Sequence, residues 1–568
     1  MKTQLEAALK QAVEAILSEH QQRSDIPVRL TRPKSQDHGD YAANVAMPLA
    51  GLLGVKPQAV AKMILDRVNW PAAVEAADIA GPGFINIRLK HDSESDVVRR
   101  VMQEKERFGW REPSRDAARI CLEFVSANPT GPMHVGHGRG AVVGDTIGRI
   151  LLSQGADLHR EYYINDAGAQ VGVLADSVWL RMRELQGEPV AFPDSAYPGE
   201  YVIDIARQIL ADEAFSSLAQ LPDDQRRQRI GQRAVAANMA AIRSDLAALG
   251  IQFDHFFSEQ DLHSSGRIAS MIGHLRKQGL AYEGVLPPPK GKEVGDYVAE
   301  PQLLFRTTRF GDDVDRPLQK QDGSPTYFAA DIAYHMDKHE RGFAHQIDVW
   351  GADHGGYVAR VQAAMKALTG LEGEPAVVLV QMVNLTRGGE QVRMSKRAGT
   401  FVTLREVVDE TGADAVRFNF LTRRSESQLD FDLEAAKKQS DENPVYYVQY
   451  AHARVCAILR KAAEERVREA EPEDVDLSRL SADEEIALIK RLLQFPETLQ
   501  QAADRLEPYR LAVYLMQLAA ELHGFYHKHR VIHDDVGLTQ ARLLLVEAVG
   551  QTIRNGLMLL GVSAPERM

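Results

Sequence analysis

Residues 127–145 read ANPTGPMHVGHGRGAVVGD, which sets His134 and His137 three residues apart among five glycines and two prolines. Glycine lets a backbone come close to a ligand, and imidazole N–H groups can stabilise negative charge as it develops. A helix starting here would add unpaired backbone N–H groups and the positive end of its dipole, both suited to an anion. Together these features point to a triphosphate site at which charge builds up during reaction. A rival glycine motif fits less well. GHGRGA (Gly136 to Ala141) satisfies G-x-G-x-x-A, but SANPTGPMHV separates it from the preceding strand-like run, whereas the dinucleotide fingerprint follows its strand closely. No Walker A pattern G-x-x-x-x-G-K-[ST] occurs.

A second basic stretch, RMSKRAGT (Arg393 to Thr400), follows the glycine turn RGGEQ. Three cations on a small-residue loop suit a phosphate clamp, in which Lys396 would neutralise the outer phosphates in the transition state. Alone, such a loop is commonly just solvated; beside the histidine stretch it becomes its functional partner.

The elements that must position these stretches are legible around them. ICLEFV reads as a buried strand and GAVVGDTIGRILLSQG as an amphipathic helix ended by Gly155; HREYYIND then reads as a strand and GAQVGVLADSVWLRM as a helix. That alternation predicts a Rossmann-like, doubly wound parallel sheet, with the histidine stretch in a strand-to-helix loop where such sheets bind ligands. The pattern returns at HQIDVWGADHGGYVARVQAAMKALTG and AVVLVQMVNL, so residues of about 190–300, mostly helical with the irregular GVLPPPKGKEVGD, are expected to form an insertion splitting the sheet. Residues 1–112 read as an N-terminal α+β domain, 113–440 as the α/β domain with its insertion, and 441–568 as an all-α helical bundle opened by Pro444 at a first helical position.

Composition sets outer bounds. The chain has 568 residues, 44% hydrophobic and 26% charged, so several domains with ordinary cores are expected. Two distant cysteines, Cys121 and Cys456, argue against a disulfide framework and against thiolate-bound zinc, and favour a cytoplasmic setting. No uninterrupted apolar run reaches the ~18 residues of a membrane span, and the first helix is acidic rather than signal-like. A net charge of −12 does not exclude nucleic acid, because binding depends on where the cations sit.

With both stretches in place, HVGH resembles the HIGH signature of class I aminoacyl-tRNA synthetases, and RMSKR resembles their KMSKS loop. EFVSANPTGPMHVGH, YYINDAGAQ, VWGADHGGYV and ADAVRFNFLTRRSESQLDFD narrow the resemblance to arginyl-tRNA synthetases, and DHGDYAANVAM extends it to the N-terminal domain. Arg393 stands where the signature has its first Lys and Arg397 where it has its last Ser; Arg keeps the charge but not the compact ammonium, so Lys396 carries most weight.

The resemblance implies ATP-dependent ligation of L-arginine to tRNA(Arg) through an arginyl-adenylate, with Mg²⁺ accompanying ATP, no protein-bound zinc, no membrane partner and a monomeric enzyme whose activation step needs tRNA. It implies catalytic roles for His134, His137 and Lys396. ATP would be held by Thr130, Gly131, His134, Gly136, His137, Gly351, Asp353, His354, Arg393, Met394, Ser395, Lys396 and Arg397. Arginine would be held by Ser126 and Asn128 with Glu123 behind them at its α-amino group, and by Tyr327, Asp331 and Glu259 at its guanidinium, which has five donors and no acceptor. Because a site built for that group rejects neutral analogues strongly, the insertion is expected to lack a proofreading centre. For tRNA the resemblance implies Asn44 near RLTRPKSQ, and Tyr446, Tyr450 and Arg454 on the first bundle helix, where Tyr447 and His452 also lie. Tyrosines at that spacing equally suit a helix core. Another class I synthetase, a non-catalytic RNA-binding paralogue and a free-standing nucleotidyltransferase remain as alternatives.

Overall fold

The computed structural model describes residues 2–33, 38–113, 117–286, 301–392, 402–465, 467 and 470–568. Two compact units result: one comprises 1–105, 458–494 and 521–551, the other 106–457, 495–520 and 552–568. Compactness thus divides the chain differently from the three consecutive spans expected, because the helices of the C-terminal region are shared out between both units.

In the first unit, helix Lys2–Glu19 buries Leu5, Leu9, Ala12, Val13 and Ile16 along one stripe. They join one core with a four-stranded antiparallel sheet in the order Leu30–Thr31, Tyr41–Ala43, Phe84–Leu89, Val74–Ala80. Pro57 opens helix Pro57–Leu65, where its missing N–H costs nothing. Asp40 is buried, accepting from Leu89 N at 2.9 Å and from Lys490 Nζ at 3.0 Å.

The second unit is built on a five-stranded, wholly parallel sheet in the order Ala376–Val380, His345–Gly351, Arg119–Glu123, Asp157–Ile164, His255–Ser258. Arg119–Glu123, first in sequence, lies at the centre, as the doubly wound reading requires. The helix after it, Val135–Ser153, ends as expected, with Gly155 in the left-handed region at φ +83°. Its interior glycines follow from close packing: a Cβ on Gly144 would sit 2.4 Å from Phe124, and one on Gly138 would sit 2.5 Å from Leu404. Buried Arg139 on the same helix donates to the carbonyls of Gln381, Ser427 and Arg424 at 2.7–2.9 Å, and burial pulls its pKa down to about 10. Buried Arg417 likewise joins Asp145 of this helix to the carbonyls of Leu249 and Leu560.

The stretch 190–300 is not wholly an insertion. Its helices Glu200–Asp212 and Asp223–Ala248 lie outside the sheet, but His255–Ser258 returns to become the edge strand beside Asp157–Ile164. A strand of four residues shows too few alternations to be told from its helical surroundings. The RGGEQ turn joins Val383–Arg387 to Glu390–Gln391, with Gly388 and Gly389 at φ +60° and +85°, as a two-residue hairpin loop demands. The four long C-terminal helices are Pro444–Glu464, Asp483–Arg505, Tyr509–Lys528 and Val536–Leu560. Val536–Leu560 is long and apolar enough to cross a membrane, yet 78% of its most apolar window is buried inside the protein.

Candidate active site

Two strained residues open the site. Beyond Glu123 the chain turns through Val125 and Ser126 at φ +71° and +40°, a region that costs a side-chain-bearing residue of order 1–3 kcal/mol. The turn brings Ser126 Oγ back to donate to Glu123 Oε1 at 2.8 Å and to accept from Tyr163 N at 3.1 Å. Glu123 Oε2 accepts from Lys338 Nζ at 2.7 Å, and Lys338, fully buried, also donates to Asp348 Oδ1 at 3.0 Å. Burial raises the Glu123 pKa and Lys338 opposes it.

Loop 127–131 is pinned from several sides. Tyr162 Oη donates to Ala127 O at 2.8 Å, Asn238 Nδ2 to Pro129 O at 2.9 Å and Tyr201 Oη to Thr130 O at 2.7 Å. Asn238 and Tyr201 come from the two helices outside the sheet, so one task of those helices is to shape this loop. Asn128 is exposed and donates to Gln170 Oε1 at 3.1 Å.

His134 is the N-cap of helix Val135–Ser153. Its Nδ1 accepts from Gly136 N at 3.1 Å and His137 N at 3.4 Å, while His137 Nδ1 accepts from His134 N at 3.3 Å. The result is a capping box made of imidazoles, with the two rings stacked 3.7 Å apart. The N-terminal end of the helix is therefore organised by these two histidines themselves. Arg393, Met394, Ser395, Lys396 and Arg397 lie outside the described residues. The chain that follows them returns to the signature, since Leu404 N donates to Met133 O at 2.8 Å and Thr403 bridges to His134.

At the carboxyl end of the neighbouring strand, Gly351 leads into the turn Ala352–Tyr357, which exposes Asp353 and His354 3.7 Å apart. A Cβ on Gly351 would meet Asp353 Oδ1 at 2.4 Å. Tyr357 Oη, ending this turn, donates to Asp331 Oδ2 at 2.5 Å.

Tyr327 and Asp331 share the first turns of helix Tyr327–Glu340, capped by Thr326. Tyr327 is 62% exposed, whereas Asp331 is half-buried, and burial pushes its pKa up to about 7 against the opposing Tyr357 bond. Glu259 starts helix Glu259–Ser264 directly after the edge strand; it is buried, and burial with Asp166 nearby pushes it up to about 7. Glu259 Oε2 and the Tyr163 hydroxyl are both buried without a hydrogen-bond partner among the described residues. Burial raises the Tyr163 phenol, and Glu259, Asp331, Glu123 and Asp166 raise it further. Several carboxylates thus lie near one phenol, with His263 Nε2 3.5 Å from Glu259 Oε1 and Glu259 Oε2 left without a partner among the described residues.

Of the residues expected at the amino-acid site, the structure brings Glu123, Ser126, Asp331 and Glu259 near one another, whereas Tyr327 is exposed with Lys320 over its ring. Sequence reading gave no role to Tyr163, Asp166, Tyr357 or Lys338, although YYIND and HGGYV were visible as motifs. On helix Pro444–Glu464, Tyr446 and Tyr450 stack with rings 6.0 Å apart and 6° from parallel, and Arg454 lies 4.6 Å over Tyr450 while donating to its hydroxyl at 2.9 Å. His452 is instead a core residue, buried with Nδ1 2.9 Å from Pro565 O, and Tyr447 is half-buried. Asn44 is exposed just before helix Ala46–Leu53.

His159, Glu161 and His255 present ligand atoms within 4.8 Å of one another. Both Glu161 oxygens already accept from Arg341 at 2.7 Å, so that carboxylate is neutralised without a metal.

Comparison with known proteins identifies the family of the chain. Residues 97–430 match the family model for the catalytic domain of class I (R) tRNA synthetases, residues 2–89 the arginyl tRNA synthetase N-terminal domain, and residues 448–568 the DALR anticodon binding domain. The arginine–tRNA ligase of Magnetococcus marinus is 49% identical over 576 residues, and that of Syntrophotalea carbinolica 45% identical over 571, each alignment covering the whole of both chains. Among solved structures, the arginyl-tRNA synthetase of Thermus thermophilus superposes with a TM-score of 0.74 at 25% identity, covering 99% of this chain and 100% of its own. A putative arginyl-tRNA synthetase from Campylobacter jejuni gives 0.73 at 31% identity, covering 84% and 100%. The chain belongs to the arginyl-tRNA synthetases, class I enzymes that ligate arginine to tRNA with ATP.

Proposed function

We propose how the residues divide the work of that ligation. Glu123, Ser126 and Asn128 receive the α-amino group of arginine, and Asp331, Glu259 and Tyr327 its guanidinium. The arginine carboxylate attacks the α-phosphate of ATP, giving arginyl-adenylate and pyrophosphate, and the terminal ribose 2′-hydroxyl of tRNA then takes the arginyl group. His134 and His137, organising a helix N-terminus, stabilise charge on the transferring phosphate. Thr130, Gly131, Gly136, Gly351, Asp353 and His354 line the nucleotide site. Lys396, with Arg393, Met394, Ser395 and Arg397, holds the pyrophosphate, and Mg²⁺ enters with ATP as part of the substrate. Residues 1–112, with Asn44, and 441–568, with the Tyr446–Tyr450–Arg454 ladder, contact tRNA; 113–440 performs the chemistry. The enzyme acts as a cytoplasmic monomer without bound zinc.

One observation carries this reading: Glu259 Oε2 and the Tyr163 hydroxyl are buried without partners among the described residues, and Asp331 lies close to the same phenol. ATP–pyrophosphate exchange with each of the twenty amino acids, with and without tRNA, tests it. Exchange is expected with arginine alone and only when tRNA is present, with Asp331→Asn and Glu259→Gln each raising the arginine KM. Exchange with another amino acid, or both variants matching wild type, would refute the assignment.

A further inference from the structure

We propose that Tyr357 is a positioning residue for the amino-acid substrate: by donating to Asp331 Oδ2 it fixes how that carboxylate faces the guanidinium, and so sets discrimination between arginine and its uncharged ureido analogue. The proposal rests on Asp331 being the guanidinium acceptor.

The geometry leaves the Tyr357 hydroxyl little choice of target. Its ring lies edge-on to Phe328 at 88° and 6.4 Å, is tilted against Trp350 at 6.1 Å, and has the Arg360 guanidinium 4.9 Å from its centroid. A ring held from three directions presents its hydroxyl at one point, 2.5 Å from Asp331 Oδ2. Among the described residues no ion pair reaches Asp331, and this is the one side-chain hydrogen bond it accepts. Tyr357 also closes the Ala352–Tyr357 turn that carries Asp353 and His354, so one short turn spans the amino-acid and nucleotide sides of the site.

The surrounding charges make that bond consequential. Facing Asp331 are Glu123 from the central strand, Asp348 from its neighbour, Glu259 from the helix after the edge strand, and the Tyr163 phenol. The charges of Arg360 and Arg316 act on the Tyr357 phenol itself. Burial and the three carboxylates all favour protonated Asp331; the Tyr357 donor opposes them. An ionised Asp331 accepts only, and suits a guanidinium. A protonated one carries an O–H and can pair with the carbonyl of a ureido group. Tyr357 therefore lowers the pH at which Asp331 becomes an acceptor and fixes the orientation of its Oδ2.

The test uses the full-length enzyme in tRNA-dependent pyrophosphate exchange from pH 6.5 to 9, with citrulline as competing ligand. Tyr357→Phe is expected to raise the arginine KM about tenfold near pH 7, the loss of one hydrogen bond to a charged group. The KM for ATP should stay within about twofold. The rising limb of kcat/KM for arginine should move to higher pH, so that the defect shrinks toward pH 9, and citrulline inhibition should strengthen relative to arginine binding. Site-specific 3-fluorotyrosine at 357, a stronger donor of nearly the same size, should move the limb the opposite way. A defect equal at every pH, or an unmoved limb in both variants, overturns the role of Tyr357. Asp331→Asn is the control: if it raises the arginine KM while the Tyr357 variants match wild type, only this proposal fails. If Asp331→Asn leaves that KM unchanged, the guanidinium assignment itself fails.

Discussion

Lys338→Met probes the buried charge arrangement beside the proposed amino-acid site. Lys338 is fully buried between Glu123 at 2.7 Å and Asp348 at 3.0 Å. Removing one partner from a buried ion pair costs about 3–5 kcal/mol, because the remaining charge stays desolvated. With an unfolding entropy of ~2.1 cal/mol/K per residue, a unit of roughly 400 residues would melt about 4–6 °C lower. The loss should depend on pH with a definite sign. Without the ammonium, burial holds the Glu123 carboxyl above its unfolded-state pKa, as it already does with Lys338 in place. Such groups stabilise the fold in acid and lose that contribution as pH rises through the folded value. The melting deficit should therefore be smaller at pH 5.5 than at pH 8. The arginine KM should also rise, since Glu123 anchors Ser126 Oγ. Calorimetric melting of wild type and variant at both pH values, with steady-state kinetics at pH 8, reads all three effects. A deficit below about 1 °C, or one identical at the two pH values, would refute the reasoning.

The unliganded enzyme should lose stability as pH rises through about 7, because Asp331 and Glu259 are both pushed up to about 7; melting curves from pH 6 to 8.5 should show this, and saturating arginine should raise Tm more at pH 8 than at pH 6. Tyr450→Ala should raise the KM for tRNA by roughly 5- to 100-fold, the worth of one stacked base, with the KM for ATP unmoved in aminoacylation assays. Gly144→Ala should cost about 1–3 kcal/mol in denaturant unfolding, since its methyl group would meet Phe124 at 2.4 Å in a fully buried contact.

Local regularities carried much of this structure into the sequence. The helix behind His134 was readable from its 3.6-residue periodicity and Gly155, the RGGEQ hairpin from paired glycines, and helix Pro444–Glu464 from its first proline. Tyr327 and Asp331 were readable as neighbours on a helix start once the family resemblance was in view. The edge strand His255–Ser258 was too short to announce itself. What escaped the site was whatever depends on pairing across the chain: Lys338 meets Glu123 across 215 residues and Tyr357 meets Asp331 across 26, and neither spacing corresponds to a local period. The capping of their own helix by His134 and His137 was not legible, because whether an imidazole accepts from backbone depends on its rotamer.

Arg417 has a consequence for synthesis. It bonds Asp145, long since made when Arg417 emerges, but also the carbonyl of Leu560, 143 residues further on. At roughly 5–20 residues per second, translation needs about 7–30 s to supply that acceptor. Through that interval a buried guanidinium lacks one partner, and residues 552–568, which complete the same compact unit, do not yet exist. Until that acceptor is made, the catalytic unit lacks one of the bonds that satisfies its buried guanidinium. A stalled or truncated message would release an unfinished catalytic unit, well suited to recognition by chaperones and proteases.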